Sequence, residues 1–257
     1  MNDAHKIKSI ILFNHVMAAI GLIYADLSWL LVSLVGFILI YQLGAEVGLH
    51  RYLAHRAFET SYWKSRALIC LGMFSCLGSP MAWAGIHRKH HAFSDEKGDP
   101  HGCQPWYKVW STFWEPYTVE SKYVKNLLRD NWIRFTHKNY FKILISTYLV
   151  LTLIDWRLST FLISIPAVLA FNGAGMVNTI CHRYGYRRYD TRDNSTNNIW
   201  VNNLFTMGSA LHNTHHQKPT AWKHSEKWWE IDLPAFFIKW FLIKEERNEG
   251  RTQNNLF

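Results

Sequence analysis

"IKSIILFNHVMAAIGLIY" (Ile7–Tyr24), "ADLS" (Ala25–Ser28) and "WLLVSLVGFILIYQLG" (Trp29–Gly44) follow one another without a gap. Each apolar run is about long enough for a helix crossing a ~30 Å hydrocarbon layer. A break of about four residues leaves room only for a tight turn, so the pair predicts a helical hairpin in a membrane. Farther along, Tyr140–Ile154, the break "DWR" and Leu158–Ile180 repeat the arrangement. The third run is the weakest, because Lys142 stands at its start; there the ammonium can reach the headgroups while its stem stays in apolar surroundings. The expected fold is an all-α membrane protein with four transmembrane helices in two hairpins beneath a helical cytosolic cap. The expected boundaries are 1–48 and 140–181 for the hairpins, and 49–139 and 182–257 for the two parts of the cap.

The cap segments are basic and unusually rich in two residue types. The chain of 257 residues has a net charge of +9, with 14 His and 13 Trp. Thirteen Lys and Arg fall in 51–138 and eleven after residue 182, whereas the hairpin tips hold one, Arg157. This bias puts both termini and the middle segment on the cytosolic side of an integral, multi-pass protein. Nucleic-acid binding does not account for the charge: the cations are scattered, and no helix-turn-helix, zinc-finger or RNA-binding pattern is present. The N-terminus shows no charged segment followed by a small-residue cleavage site, so the first run reads as a permanent span. The four cysteines fit no metal-finger spacing and read as reduced, packed thiols, with Cys181 beside His182 a minor candidate for contact with a metal. Two aromatic stretches, one with Trp106, Trp110, Phe113 and Trp114, the other with Trp228, Trp229, Phe236, Phe237, Trp240 and Phe241, suit elements lying on the membrane surface. The first suits a buried helix of the cap equally well. The final "EERNEGRTQNNLF" reads as a frayed tail.

Histidine recurs in three places: "HRYLAH" (His50–His55), "HRKHH" (His87–His91) and "HNTHH" (His212–His216). An even number of crossings separates the three, so all face one compartment. On an α-helix, positions i, i+3 and i+4 share a face; His87, His90 and His91 project together, as do His212, His215 and His216. His50 and His55 are five apart and converge only if their helix is overwound, widened or unwound. Asn178 and His182, in "NTICH", are four apart and can point the same way. That makes nine imidazoles and one carboxamide, too many for a single ion and suited to two. Imidazole accepts Zn, Cu, Fe or Ni, so the donors alone do not choose the metal. His5, His15, His137 and His224 read as ordinary surface or core residues, and His101 in "GDPH" as a possible supporting hydrogen-bond partner.

Read together, "GLHRYLAHRAF", "WAGIHRKHHAFSD", "GDPH", "VNTICHRYGYRRYD" and "HNTHH" resemble the membrane-bound fatty acyl desaturases of the Δ9 type, over about Gly44 to Lys239. The resemblance implies two irons held by His50, His55, His87, His90, His91, His182, His212, His215 and His216, with Asn178 holding a water on one of them. It implies that Trp83 lines an acyl tunnel. The substrate would be an acyl-CoA, an acyl carrier protein thioester or an acyl-lipid, with Arg187, Arg188 and Lys218 as candidates for its polar end. Electrons would come from a separate ferredoxin or cytochrome b5, since no fused haem-binding "HPGG" segment is present. Two further departures concern the site: relatives commonly carry an acid three residues before the third cluster, where this chain has Ser209, and Thr-Trp where it has Ala174-Gly175. A hydroxylase or acetylenase on the same scaffold is the first alternative. A membrane metal transporter is a remote one, because the interior of the runs offers little beyond His15 and Lys142 as an ionisable path.

Overall fold

Short polar residues set where the helices begin. In a computed structural model describing residues 3–101 and 119–243, Asp26 Oδ1 accepts from Trp29 N at 3.0 Å and Asp155 Oδ1 from Arg157 N at 2.9 Å. Each caps the second helix of a pair, so the breaks "ADLS" and "DWR" are helix starts. The elements are α1 (Asp3–Ile23), α2 (Leu27–Ala54), α3 (Tyr62–Met73), α4 (Pro80–Phe93), α5 (Ser121–Val124), α6 (Asn131–Ile154), α7 (Trp156–Ile180), α8 (Ile199–Val201, running into the wide turn Asn202–Thr206), α9 (His212–Gln217) and α10 (Leu233–Leu242). Pairing of the β type is confined, among the described residues, to isolated bridges at Tyr186–Asn197 and Asn197–Leu211. The stretch with Trp106, Trp110, Phe113 and Trp114, Cys103, and the tail from Glu245 lie outside the described residues.

Three helices are long and apolar enough to cross a membrane: His5–Ile23, Leu27–Ala54 and Trp156–Ile180. The expected third span, Tyr140–Ile154, forms the apolar end of α6, whose first turns carry Arg134, Lys138 and Lys142 and dilute its hydropathy. That end still presents Ile145, Leu149, Val150, Leu153 and Ile154 outward, as α1 does Leu12, Phe13, Val16 and Ile20, and α2 does Leu30, Leu31 and Leu34. Such a continuous apolar exterior suits lipid rather than water. At α10, Ile238 and Leu242 pack with Val47, Phe58 and Leu68 while Phe236, Trp240 and Phe241 face out. Both sides of α10 are thus apolar, one packed against the protein and the other exposed.

From Phe37 to Ala54, α2 is wound as a π-helix, and His55 N continues the pattern by donating to His50 O at 3.1 Å. A π-turn holds more residues than an α-turn, so residues five apart come round to nearly one side. This is the widening that HxxxxH required: the His50 and His55 rings lie 5.0 Å apart. Helix α3 packs closely on the same stretch, where a Cβ on Gly44 would stand 2.5 Å from Gly72 N. Only glycine permits that approach. The end of α2 is closed by Arg88 of α4. Its guanidinium donates to Leu53 O at 2.8 Å, Ala54 O at 2.9 Å, Tyr123 O at 2.8 Å and Asn126 Oδ1 at 2.7 Å. The last carbonyls of a helix otherwise lack donors, so Arg88 ties together the segments that carry the first two histidine clusters.

Candidate metal centre

Helix α4 delivers three imidazoles from adjacent turns, but they divide between two sets. His87 and His91, four apart, turn towards His50, His55 and His215; His90 turns the other way, towards His182, His212 and His216. Helix α9 divides in the opposite sense. His212 and His216, four apart, join His90 and His182, and His215 joins His50. In the first set, Nε2 atoms meet at 2.7 Å (His55–His87), 3.0 Å (His50–His215), 2.9 Å (His91–His215) and 3.1 Å (His87–His91). In the second, His182 Nε2 lies 3.0 Å from His212 Nε2. A group formed by His91, His215 and His216 links the two.

Behind these rings stand carboxylates that the sequence did not single out. His50 Nδ1 donates to Glu46 Oε2 at 3.2 Å, His90 Nδ1 to Asp99 Oδ1 at 2.9 Å and His182 Nδ1 to Asp95 Oδ2 at 2.9 Å; His216 Nδ1 donates to Asp193 Oδ2. Burial alone would raise the carboxyls of Asp95, Asp99 and Asp193, but their histidine hydrogen bonds hold all three below the usual range. A proton held on Nδ1 leaves a bare lone pair on Nε2. For His90 and His216 that Nε2 is buried and has no hydrogen-bond partner. Burial pushes His55, His87, His91, His212 and His215 well below the ordinary imidazole range, and His216 down to about 4. Buried, neutral donors aimed inward from every side are the setting a divalent cation reconciles, and they fit two metal ions.

The remaining expected residues have varied positions. Trp83 stacks on His87, with ring centroids 4.9 Å apart at 15°. Asn178 is half-buried one turn before His182. Arg188 pairs with Glu230 at 2.6 Å, tying its loop to the segment before α10, and Arg187 donates to the carbonyls of Asp193 at 2.6 Å and Thr191 at 2.8 Å, bracing its own loop. Lys218 pairs with Glu226 at 3.0 Å. His101 lies beside His90, with centroids 5.3 Å apart, and its backbone N–H donates to Asp99 Oδ1 at 2.8 Å. His137 accompanies Ser79, away from the clusters, and no cysteine joins them among the described residues. His224 corrects the expectation of an ordinary histidine. It is buried with neither ring nitrogen hydrogen-bonded, and its ring is 4.8 Å from that of His215 and 5.9 Å from that of His50. Standing alone between Lys223 and Ser225, it carries no spacing signal. Asp95 and Asp99 fall within "SDEKGDP" just after the second cluster, a signal visible in retrospect.

Residues 27–237 match the family model described as fatty acid desaturase. An sn-1 stearoyl-lipid 9-desaturase of Anabaena variabilis is 32% identical over 229 residues, covering 85% of this chain and 83% of the relative. A hex-5-enoyl-[acyl-carrier protein] acetylenase of Moorena producens is 32% identical over 271 residues, covering 92% and 83%. An acyl-CoA 5-desaturase of Anemone leveillei is 30% identical over 207 residues, covering 76% and 63%.

Proposed function

The chain belongs to the fatty acid desaturase family, and from that premise we propose that it is an O2-dependent diiron desaturase that introduces a cis double bond, at the Δ9 position, into a saturated acyl chain. Overall, two hydrogens leave adjacent methylenes and, with two further electrons and two protons, O2 becomes two waters. The observation that carries the reading is the pair of inward-facing, buried and unpartnered Nε2 atoms of His90 and His216, each with its Nδ1 proton given to a carboxylate. His50, His55, His87, His91 and His215 would hold one iron; His90, His182, His212 and His216 would hold the other, with Asn178 holding a water on it. Bound iron would supply the reductive activation of O2, using electrons from a ferredoxin or cytochrome b5.

The chain's own residues do the rest. Asp95, Asp99 and Asp193 keep protons on the outer ring nitrogens and so fix which nitrogen faces the metal. Trp83, stacked on His87, would line an acyl tunnel and keep an unactivated chain within reach while water is excluded. Four crossings in two hairpins, with termini and histidines on the cytosolic side, would place this site at the membrane face. The lipid-like exterior of α6 supports its role as the third of the four spans, with cap segments at 49–139 and 182–257. The acyl carrier would be CoA, carrier protein or lipid.

Acetylenase activity is the second reading, favoured by the Moorena relative's cover of nearly the whole chain. Expression in a desaturase-deficient host, followed by mass spectrometry of its fatty acids, separates the two. A new monounsaturated acid with its bond at carbon 9 supports the proposal, a triple bond supports the alternative, and an unchanged profile with full expression contradicts both.

A further inference from the structure

Glu46 is buried on α2 one turn before His50, among the buried side chains of Tyr41, Ala45, Val47 and Leu49. A carboxylate in such surroundings is costly unless charge and hydrogen bonding compensate it. The neighbouring guanidinium of Arg51 is engaged elsewhere, with Asp232 Oδ1 at 2.7 Å and the Trp222 carbonyl at 2.6 Å. What Glu46 does hold is His50 Nδ1, at 3.2 Å. It is the one carboxylate that touches a ring of the first set among the described residues. Ser209 stands beside the same carboxylate, and its hydroxyl is buried.

We infer that Glu46 is a positioning residue for the first metal set, its carboxylate held from α2 against His50 and beside Ser209, three residues before His212. Accepting the Nδ1 proton turns His50 Nε2 towards His215, and the negative charge offsets that of the cation beyond the ring. The short side chain of Ser209 leaves room for this, whereas acids at both positions would oppose each other. The inference takes the identity of the metal from the desaturase reading; the arrangement of the rings stands without it.

The test uses the purified full chain in detergent, as wild type, E46Q, E46D, S209E and the exchange variant E46S/S209E. Iron retained against a chelator and Co2+ affinity by competition are read, together with thermal unfolding of the metal-free proteins. E46Q is expected to weaken the first set by about 10–100-fold, and S209E to weaken it by repulsion. E46D, which keeps the charge, and the exchange variant should each recover most of the loss. Wild-type affinity in E46Q overturns the inference. So does an exchange variant no better than E46Q although it unfolds at the wild-type temperature. If the exchange variant does not fold, equal losses in E46D and E46Q overturn the inference and retention in E46D alone supports it. Metal affinity is read apart from activity, so a wild type that binds metal but desaturates nothing counts against the proposed function only.

Discussion

Around His90, His182 and His216 the outer nitrogens run to Asp99, Asp95 and Asp193, whereas the five rings of the first set meet one carboxylate among the described residues, Glu46. Behind the first set stand two buried arginines: Arg51, paired with Asp232, and Arg88, whose acceptors are three carbonyls and an amide oxygen. The same two helices, α4 and α9, feed both sets, so ligand type does not distinguish them; charge does. Carboxylates behind imidazoles make them stronger donors, and three of them more than balance a divalent cation. A cation in the first set would be less compensated. The second set should hold its iron more tightly, and the first should give up iron sooner and accept an electron more readily.

The largest effect is expected from removing one ring of each set. His215→Ala and His212→Ala should both abolish double-bond formation, but with unequal metal loss. H215A should keep the iron of the second set through chelator washing, while H212A should end with less, and iron per chain reads the difference. Equal residual iron would count against the charge asymmetry. Next comes Asp193→Asn, which takes the anion from behind His216 and should cost about 10–100-fold in metal affinity or activity, measured by competition with a chelator. Arg88→Met leaves the carbonyls ending α2 without donors and should cost about 2 kcal/mol of stability, seen as a lower unfolding temperature even in metal-free protein.

Acid should act on the metal-free protein through the histidines. The folded pKa values of His55, His87, His91, His212, His215 and His216 lie below the unfolded value of about 6.5, so at these rings the unfolded chain binds protons first. Stability is therefore complete above about pH 6.5 and falls below it, by up to about 1.4 kcal/mol per pH unit for each lowered histidine. His216, held at about 4 with Asp193 opposing the effect of burial, should stop contributing before the deeper rings of the first set. Thermal unfolding between pH 7.5 and 4.5 checks the sign, and a flat profile would contradict it. The smallest effect belongs to His224→Gln, which removes a ring that touches His215 and His50 but makes no hydrogen bond. Iron retention in the first set should change by less than about tenfold, below the range for a hydrogen-bonded support.

The paired apolar runs, their polar breaks and all nine clustered imidazoles were legible in the sequence, because each rests on local spacing. The partition of those imidazoles was not. His87, His90 and His91 share a helix face, and only the positions of α2, α7 and α9 around it decide which way each ring turns. Glu46, Asp99, Asp95 and Asp193 lie four, nine, 87 and 23 residues from the rings they support; "SDEKGDP" holds two of them, but no spacing assigns each acid to its ring. No local spacing marks Arg51 or Arg88, whose hydrogen bonds in the fold hold Asp232 at the start of α10 and close the end of α2. The HxxxxH spacing posed a question about winding that the π-helix at Phe37–Ala54 answers.

Whether the two imidazole sets hold two irons is tested most directly by counting metal in the purified wild-type protein and in H215A and H212A, with Mössbauer spectroscopy to distinguish the sites. Two irons per chain in inequivalent, nitrogen-rich environments, with a different one lost in each variant, are the predicted result. A single iron, or two that both survive either substitution, would contradict it.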